Sequence, residues 1–242
     1  MEYREFDRMV NEVRDERDLT PSITFPALMQ KVYTWMAFAM IITGVTAYGV
    51  ANSPSLLGMI YTNPVVLWGL IIAEFALVFG ITGMINRLSL TTATLMFVAY
   101  SVINGAMLSS IFLVYTMNSI GQVFFITSAT FGVMAFIGYT TKTDLTSMGK
   151  ILFMALIGMI IATVVNIFVG STGLQTVTSY LGVLIFVGLT AYDSQKIKHM
   201  LYEQEVADEG AQKLALIGAL TLYLDFINLF LYLLRIMGSR RD

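Results

Sequence analysis

The stretch LALIGALTLYLDFINLFLYLLRIM, residues 214–237, decides the fold, because it is long enough to cross a membrane and yet holds an acid at its middle. A run of about 20 apolar residues crosses the ~30 Å hydrocarbon core of a bilayer as a helix. A charge at the centre costs roughly 3 kcal/mol on insertion scales, so it normally faces protein or water and has a function. The stretch therefore predicts a membrane helix in which Asp225 is functional.

Apolar runs of similar length recur upstream, separated by short polar breaks. Together they predict seven membrane helices, near residues 29–51, 64–86, 91–115, 119–140, 150–170, 176–198 and 211–237. Of the 242 residues, 57% are hydrophobic and 12% charged, whereas soluble domains carry roughly 25% charged residues. We expect an all-α, polytopic membrane protein with a membrane domain over residues 26–242 and a charged cytoplasmic tail over residues 1–25.

Composition also excludes several functions. A net charge of −2 does not indicate nucleic-acid binding, and the absence of cysteine excludes disulfides and thiolate chemistry. Residues 1–21 lack the apolar core of a secretory signal, so we expect them to remain on the mature protein. A solvated tail is the favoured interpretation. The helical spacing of Tyr3, Phe6, Val10 and Val13 also allows an amphipathic helix that docks on a membrane-protein partner.

The distribution of Lys and Arg predicts the orientation, because cationic connections are retained on the cytoplasmic side. The cations of one side are Arg4, Arg8, Arg14, Arg17, Lys31, Arg87, Lys142, Lys150, Lys196, Lys198 and Lys213. The connections after the first, third and fifth spans contain no Lys or Arg, so the N-terminus should be cytoplasmic. Arg235, Arg240 and Arg241 then fall outside if the last span crosses fully, which its length favours, or inside if it is re-entrant.

Small residues indicate where helices approach each other in lipid. Ser101, Gly105 and Ser109 recur every four residues on the third span, and Gly158 and Ala162 do so on the fifth. The sequence therefore predicts close helix packing at both places.

Polar residues on the last span share one helical face. Thr221, Asn228, Tyr232 and Arg235 lie at offsets that place them with Asp225. A polar stripe of this kind should be surrounded by protein, so we expect a central last helix ringed by the other six.

Asp193, near the inner end of the sixth span, is the expected partner of Asp225 because the two helices are joined by a short connection. Their depths differ, and the carboxyl groups meet only if the helix ends extend past Lys196 and Lys213. A buried pair of this kind shares one proton and titrates as a coupled unit, and when deprotonated it suits calcium. In the alternative, Asp193 is a helix-end residue facing water.

Each of the other acidic features of the sequence allows two interpretations. Glu74, in the second span, is either part of a pathway or a neutral group hydrogen-bonded to Asn104 or to a threonine. The acidic connection of Glu203, Glu205, Asp208 and Glu209 could concentrate cations, but a solvated face is favoured. His199 is expected to be an ordinary surface residue.

Two stretches carry a family resemblance: AYDSQKI at residues 191–197 and LYLDFINLF at residues 222–230. Together they resemble the paired C-terminal signature of the Bax inhibitor family, and the second is highly specific. The similarity covers the chain from the first span to the end.

The resemblance implies a seven-helix bundle around the last helix, with Asp193 and Asp225 as a di-aspartyl pair that senses pH and gates a calcium leak. It also implies that the two carboxyl groups meet. In the family an arginine at the inner end of the second helix can engage the pair, and Arg87, slightly beyond that place, is the candidate here. Glu74 matches an acidic position of related bacterial members, and Tyr223 and Asn228 belong to the second motif as supporting residues.

The leading hypothesis is a pH-sensitive passive calcium leak in a bacterial inner membrane, with calcium as the transported ion, the pair as its tentative metal ligands, and no cofactor or enzymatic activity. A regulator of other membrane proteins, such as a protease modulator or a cell-death suppressor, is the alternative. An intramembrane aspartyl protease is disfavoured because no Gly-x-Gly precedes Asp225.

Overall fold

The structure is a computed structural model that describes the backbone of residues 2–241 and the side chains of residues 24–241. Its helices are α1 (Glu2–Ala51), α2 (Pro54–Tyr61), α3 (Pro64–Met84), α4 (Leu90–Leu108), α5 (Ile111–Val114), α6 (Met117–Thr140), α7 (Thr146–Val169), α8 (Thr172–Tyr202) and α9 (Glu209–Met237). Seven segments are long and apolar enough to cross a membrane, which confirms the predicted spans.

Two features of the helices were not predicted. The first connection contains the short helix α2, which Pro54 begins and which Tyr61 fastens to α4 by donating to the carbonyl of Met107 at 2.7 Å. The third span is broken after Leu108, where the Ser109 hydroxyl donates to the Ala106 carbonyl at 2.6 Å. Serine hydroxyls compete with the backbone in this way, so a helix can end inside an apolar run.

The last helix is the most buried span. In its most apolar window 61% of residues are buried, against 6% in α3 and in α7. Its principal packing partners are α8, α1, α6 and α4, whereas α3 packs mainly on α4 and α7 on α8. Four of the six expected neighbours are therefore principal partners of α9, and α3 and α7 form the periphery.

Small residues allow two close crossings. Gly105 of α4 lies against α1, where an added Cβ would be 2.6 Å from the Thr43 carbonyl oxygen, as the small-residue pattern predicts. Gly138 of α6 lies against the backbone of Ala191 in α8, next to Asp193. The prediction for the fifth span was wrong: Gly158 is exposed with no neighbouring atom within reach of a Cβ, because only one side of α7 is covered.

The cationic connections lie at one end of the bundle, which we call the basic end. There Glu209 accepts from the backbone of Leu90, and Lys31 donates to Gln212. The chain leaves α9 at the opposite end, the far end, where Thr116 donates to the carbonyl of Ser239. Helix α9 is unbroken from Glu209 to Met237, so it is long enough for a full crossing, and the C-terminal arginines are at the far end of the bundle.

The first span continues a longer helix. The backbone from Glu2 to Ala51 is helical throughout, so the tail and the first span are continuous. The face predicted from Tyr3, Phe6, Val10 and Val13 lies outside the described side chains.

Candidate functional site

Helices α8 and α9 bring the two predicted aspartates together. Helix α8 runs on to Tyr202, beyond Lys196, and α9 begins at Glu209, before Lys213. Both helices therefore extend past their lysines, which is what the two carboxyl groups require in order to lie at the same depth. The side chains of Asp193 and Asp225 line the same cavity, so the two carboxyl groups face one space. Two carboxyl groups can share a hydrogen bond only when one of them carries a proton, because an ionised carboxylate has no donor.

The pair is sheltered from the surface. Asp225 is 5% exposed and Asp193 is half-buried. Among the described residues, Oδ2 of Asp225 and the neighbouring hydroxyl of Ser194 have no hydrogen-bond partner. A buried oxygen without a partner costs about 1–3 kcal/mol. One oxygen of the pair is thus available to a proton or a cation.

The pair lies in the wall of a cavity of about 1040 Å³, which we call the lateral cavity. Its lining residues are Phe75, Gly149, Lys150, Phe153, Met154, Leu156, Met159, Ile160, Phe186, Leu189, Tyr192, Asp193, Lys196, Thr221, Leu224, Asp225, Asn228 and Tyr232. Four members of the predicted polar stripe of α9 therefore face one space. The fifth, Arg235, lines a separate cavity of about 370 Å³ together with Arg240.

An aromatic layer closes the lateral cavity toward the far end. The ring of Tyr232 stacks on Phe186 at a centroid distance of 5.8 Å. The same ring fills the space beside Gly182, where an added Cβ would lie 2.6 Å from it. Arg235, one turn further along α9, places its guanidinium 5.5 Å from the Tyr232 ring. Tyr232 thus separates the space around the aspartates from the cavity of the arginines.

A second polar network lies on the other side of α9. The Tyr223 hydroxyl, fully buried, is 2.7 Å from the Thr43 hydroxyl and donates to Asn104 Oδ1 at 2.9 Å. The Asn104 amide in turn donates to Glu74 Oε1 at 3.0 Å, and the Thr43 hydroxyl, 2.9 Å from the Ser101 carbonyl oxygen, shares its one proton between Ser101 and Tyr223. This Tyr223 network ties α1, α3, α4 and α9 together, and it contains the Glu74–Asn104 contact expected from the sequence.

The structure separates the supporting residues from the pair. At 3.6 residues per turn, Tyr223 and Asp225 point about 200° apart on α9. Asn228 shares the lateral cavity with the pair, whereas Tyr223 and Glu74 belong to the Tyr223 network. Arg87 is exposed in the turn after α3 and pairs with no described carboxylate within 4 Å. Its role as a lock on the pair stays a prediction.

The pair offers few ligands for a metal. Within residues 24–241 there is no cluster of three or more His, Cys, Asp or Glu side chains suited to an ion. Asn228 can add one oxygen, because its amide nitrogen is already used in a bond to the Leu224 carbonyl at 2.8 Å. Calcium takes 6–8 oxygens, so most of its shell at this place would have to be water or backbone. Such a set suits transient binding of a cargo ion.

The role of Gln195 was not predicted from the sequence. Its amide donates to the Thr143 carbonyl and accepts from the Leu145 backbone, both at 2.8 Å. The side chain thereby fixes the α6–α7 connection to α8 two residues from Asp193. Its place inside the 191–197 motif was the available signal. Nearby Asp144 lies outside the spans, and its hydrogen bonds from Thr146 hold the pKa of that carboxyl below its usual value.

Comparisons with known proteins agree on one family. The pattern of the family described as inhibitor of apoptosis-promoting Bax1 matches residues 26–242. The inner membrane protein YbhL of Escherichia coli is 46% identical over 229 residues, covering 94% of this chain and 98% of that protein. Relatives in Borreliella burgdorferi and Rickettsia prowazekii are 45% and 44% identical, each covering 88% of this chain and 92% and 90% of their own length.

Proposed function

The chain belongs to the Bax inhibitor family of membrane proteins, and we propose that it is a pH-sensitive passive calcium leak channel gated by Asp193 and Asp225. We further propose the bacterial inner membrane as its location, after the name of the Escherichia coli relative. The observation that supports the channel most is the sheltered carboxyl pair, with an unpartnered oxygen, in the wall of the lateral cavity.

The pair can act as a switch because proton and cation compete for the same oxygens. A proton shared between the carboxyl groups of Asp193 and Asp225, which line the same cavity, ties α8 to α9. Without that proton, two carboxylates side by side repel each other in a medium of low dielectric unless a cation bridges them. Exchange of proton for calcium therefore changes the force between the two most extensively packed helices.

The aromatic layer supplies a physical barrier for the same path. Tyr232 and Phe186 close the lateral cavity on its far-end side. Tyr232 is seven residues from Asp225 along α9, and Phe186 is seven residues from Asp193 along α8. A change of distance between α8 and α9 at the pair is transmitted to this layer, because both rings sit on those same helices. In this proposal the pair senses the proton and the layer opens or closes the path.

The regulator remains the second candidate, and one observation favours it. Helix α1 extends from the membrane span at Thr24 back to Glu2, about 33 Å of helix at 1.5 Å per residue. An arm of this length can reach a partner. Removal of residues 1–18 distinguishes the candidates, because a regulator loses its effect on the partner whereas a leak channel keeps its flux.

Calcium flux into liposomes tests the proposal. Purified native chain, Asp193→Asn and Asp225→Asn are reconstituted and compared from pH 5 to pH 8. We expect a pH-dependent flux in the native chain and a flat profile in both variants. Asp144→Asn is the matched control, since it removes an exposed carboxylate outside the spans and should leave the profile unchanged.

Two outcomes would reject the channel. Native flux no greater than that of empty liposomes would leave the regulator as the better candidate. Equal flux and equal pH response in the native chain and both aspartate variants would remove the pair from the gate.

A further inference from the structure

The lateral cavity opens toward the surface that the membrane covers. It lies between α3 and α7, the two least buried spans, with α8 and α9 as its floor. Phe75 on one side and Phe153 and Met154 on the other are 60%, 58% and 63% exposed although they line it. In a bilayer, a gap of this kind between peripheral helices is filled from the side by lipid.

The inside of the cavity has the shape and chemistry of an acyl-chain site. Its volume of about 1040 Å³ reaches the upper end of the usual range for ligand pockets, roughly 300–1,000 Å³. Most of the lining side chains are apolar, including Leu156, Met159, Ile160, Phe186 and Leu189. The polar groups are the α9 stripe, Tyr192 and Asp193 of α8, and two lysines at the mouth.

Two lysines stand at the mouth. Lys150 begins the second turn of α7 and Lys196 lies near the end of α8, so both are at the basic end of the same cavity. Both are exposed, and neither has a carboxylate within 4 Å among the described residues. Lys196 instead lies 5.9 Å from the ring of Tyr192. Two cations above an apolar pocket complement an anionic head group joined to a hydrocarbon chain.

We propose that the lateral cavity binds an anionic phospholipid, with its phosphate between Lys150 and Lys196 and one acyl chain lying along Leu156, Ile160 and Phe186. The chain then covers Asp193 and Asp225 and closes the opening between α3 and α7. A zwitterionic lipid offers the same chain, so the two lysines make the site selective for net negative charge. The test of the lipid site measures lipid retention and not calcium flux, so either proposal can fail without the other.

Native mass spectrometry of the full-length protein tests the site. The protein is purified in detergent and given equal amounts of phosphatidylglycerol and phosphatidylethanolamine with identical acyl chains. We expect the anionic lipid to be retained in preference, with a loss of about fivefold in that preference for each lysine removed in Lys150→Gln and Lys196→Gln. Lys142→Gln is the matched control, because Lys142 is an exposed cation of the same connection that does not line the cavity.

A second pair of variants tests the chain-binding part separately. Ile160→Trp fills the cavity and should lower retention of both lipids, whereas Ile167→Trp, on the part of α7 that lies outside the cavity, should not. Equal retention of the two lipids by the native protein overturns the proposal, as does a preference that survives both lysine variants. A bound mass equal to a free fatty acid instead of a phospholipid also overturns it.

Discussion

The two faces of α9 around residues 223 and 225 differ in how completely their polar groups are satisfied. On one face, the buried Tyr223 hydroxyl has two side-chain partners and packs edge-on against Phe97 and Tyr100, with ring centroids 5.9 and 5.8 Å away. On the other face, Asp225 Oδ2 has no hydrogen-bond partner within residues 24–241, and a large cavity adjoins it. The first arrangement fixes a helix in place, and the second leaves a group free to change its state.

This contrast indicates that the two faces of α9 have different roles. The Tyr223 network holds α9 against α1 and α4, and in the proposed channel a change at the aspartates would therefore move α8 relative to α9. Stability should therefore depend mainly on the Tyr223 face, whereas the response to pH should depend on the Asp225 face.

The largest expected effect is on the Tyr223 face. Tyr223→Ala should lower the free energy of unfolding by about 3–5 kcal/mol, because it leaves a large cavity among fully packed rings. Tyr223→Phe keeps the ring and should cost about 1–3 kcal/mol, since Thr43 and Asn104 lose a buried partner. Thermal or denaturant unfolding of the purified protein in detergent measures both. A loss below 1 kcal/mol for Tyr223→Ala would contradict the structural role.

The next largest effect is the interaction energy between pairs of substitutions, which should be larger within the Tyr223 network than between the two faces of α9. Tyr223→Phe combined with Asn104→Ala should show an interaction energy of about 0.5–3 kcal/mol, because the two residues share a hydrogen bond. Tyr223→Phe combined with Asp225→Asn should be additive within about 0.5 kcal/mol, because those residues share no partner. Double-mutant cycles from the same unfolding experiments give both values. Strong coupling in the second cycle would show that the two faces are not independent.

A smaller effect is expected for Asp225→Asn alone. The free energy of unfolding should stay unchanged or rise by up to about 1 kcal/mol, because the substitution removes an acid whose Oδ2 has no partner and supplies an amide that can donate to Asp193. Asp144→Asn is again the control outside the spans. A loss as large as that of Tyr223→Phe would mean that Asp225 is a structural group.

The smallest effect is expected at Ser194. Its buried hydroxyl has no partner among the described residues, so Ser194→Ala should change the free energy of unfolding by no more than about 0.5 kcal/mol. Thr127→Ala is a useful comparison, because the equally buried Thr127 hydroxyl donates to the Val123 carbonyl at 2.8 Å. If Ser194→Ala lowers the free energy of unfolding more than Thr127→Ala does, the Ser194 hydroxyl has a hydrogen-bond partner in the purified protein.

Much of the fold followed from the sequence. The seven spans, the segregation of most cations to one end and the polar stripe of α9 were predicted because hydropathy and charge cost are properties of each segment alone. The helix α2, the break at Ser109 and the exposed Gly158 were not, because they depend on what each segment packs against. At the site, a shared location of Asp193 and Asp225 was expected, whereas the bonds of Tyr223 to Thr43 and of Gln195 to the α6–α7 connection were not.

The sequence by itself determined that an acid in the middle of a membrane span needs a partner, because the cost of burying its charge does not depend on the neighbours. Only the tertiary structure decided which groups meet. The length of α8 and α9 beyond their lysines sets the depths of Asp193 and Asp225, and the rotation of α9 sends Tyr223 and Asp225 into separate surroundings. Depth and rotation are fixed by packing between helices, which no single segment encodes.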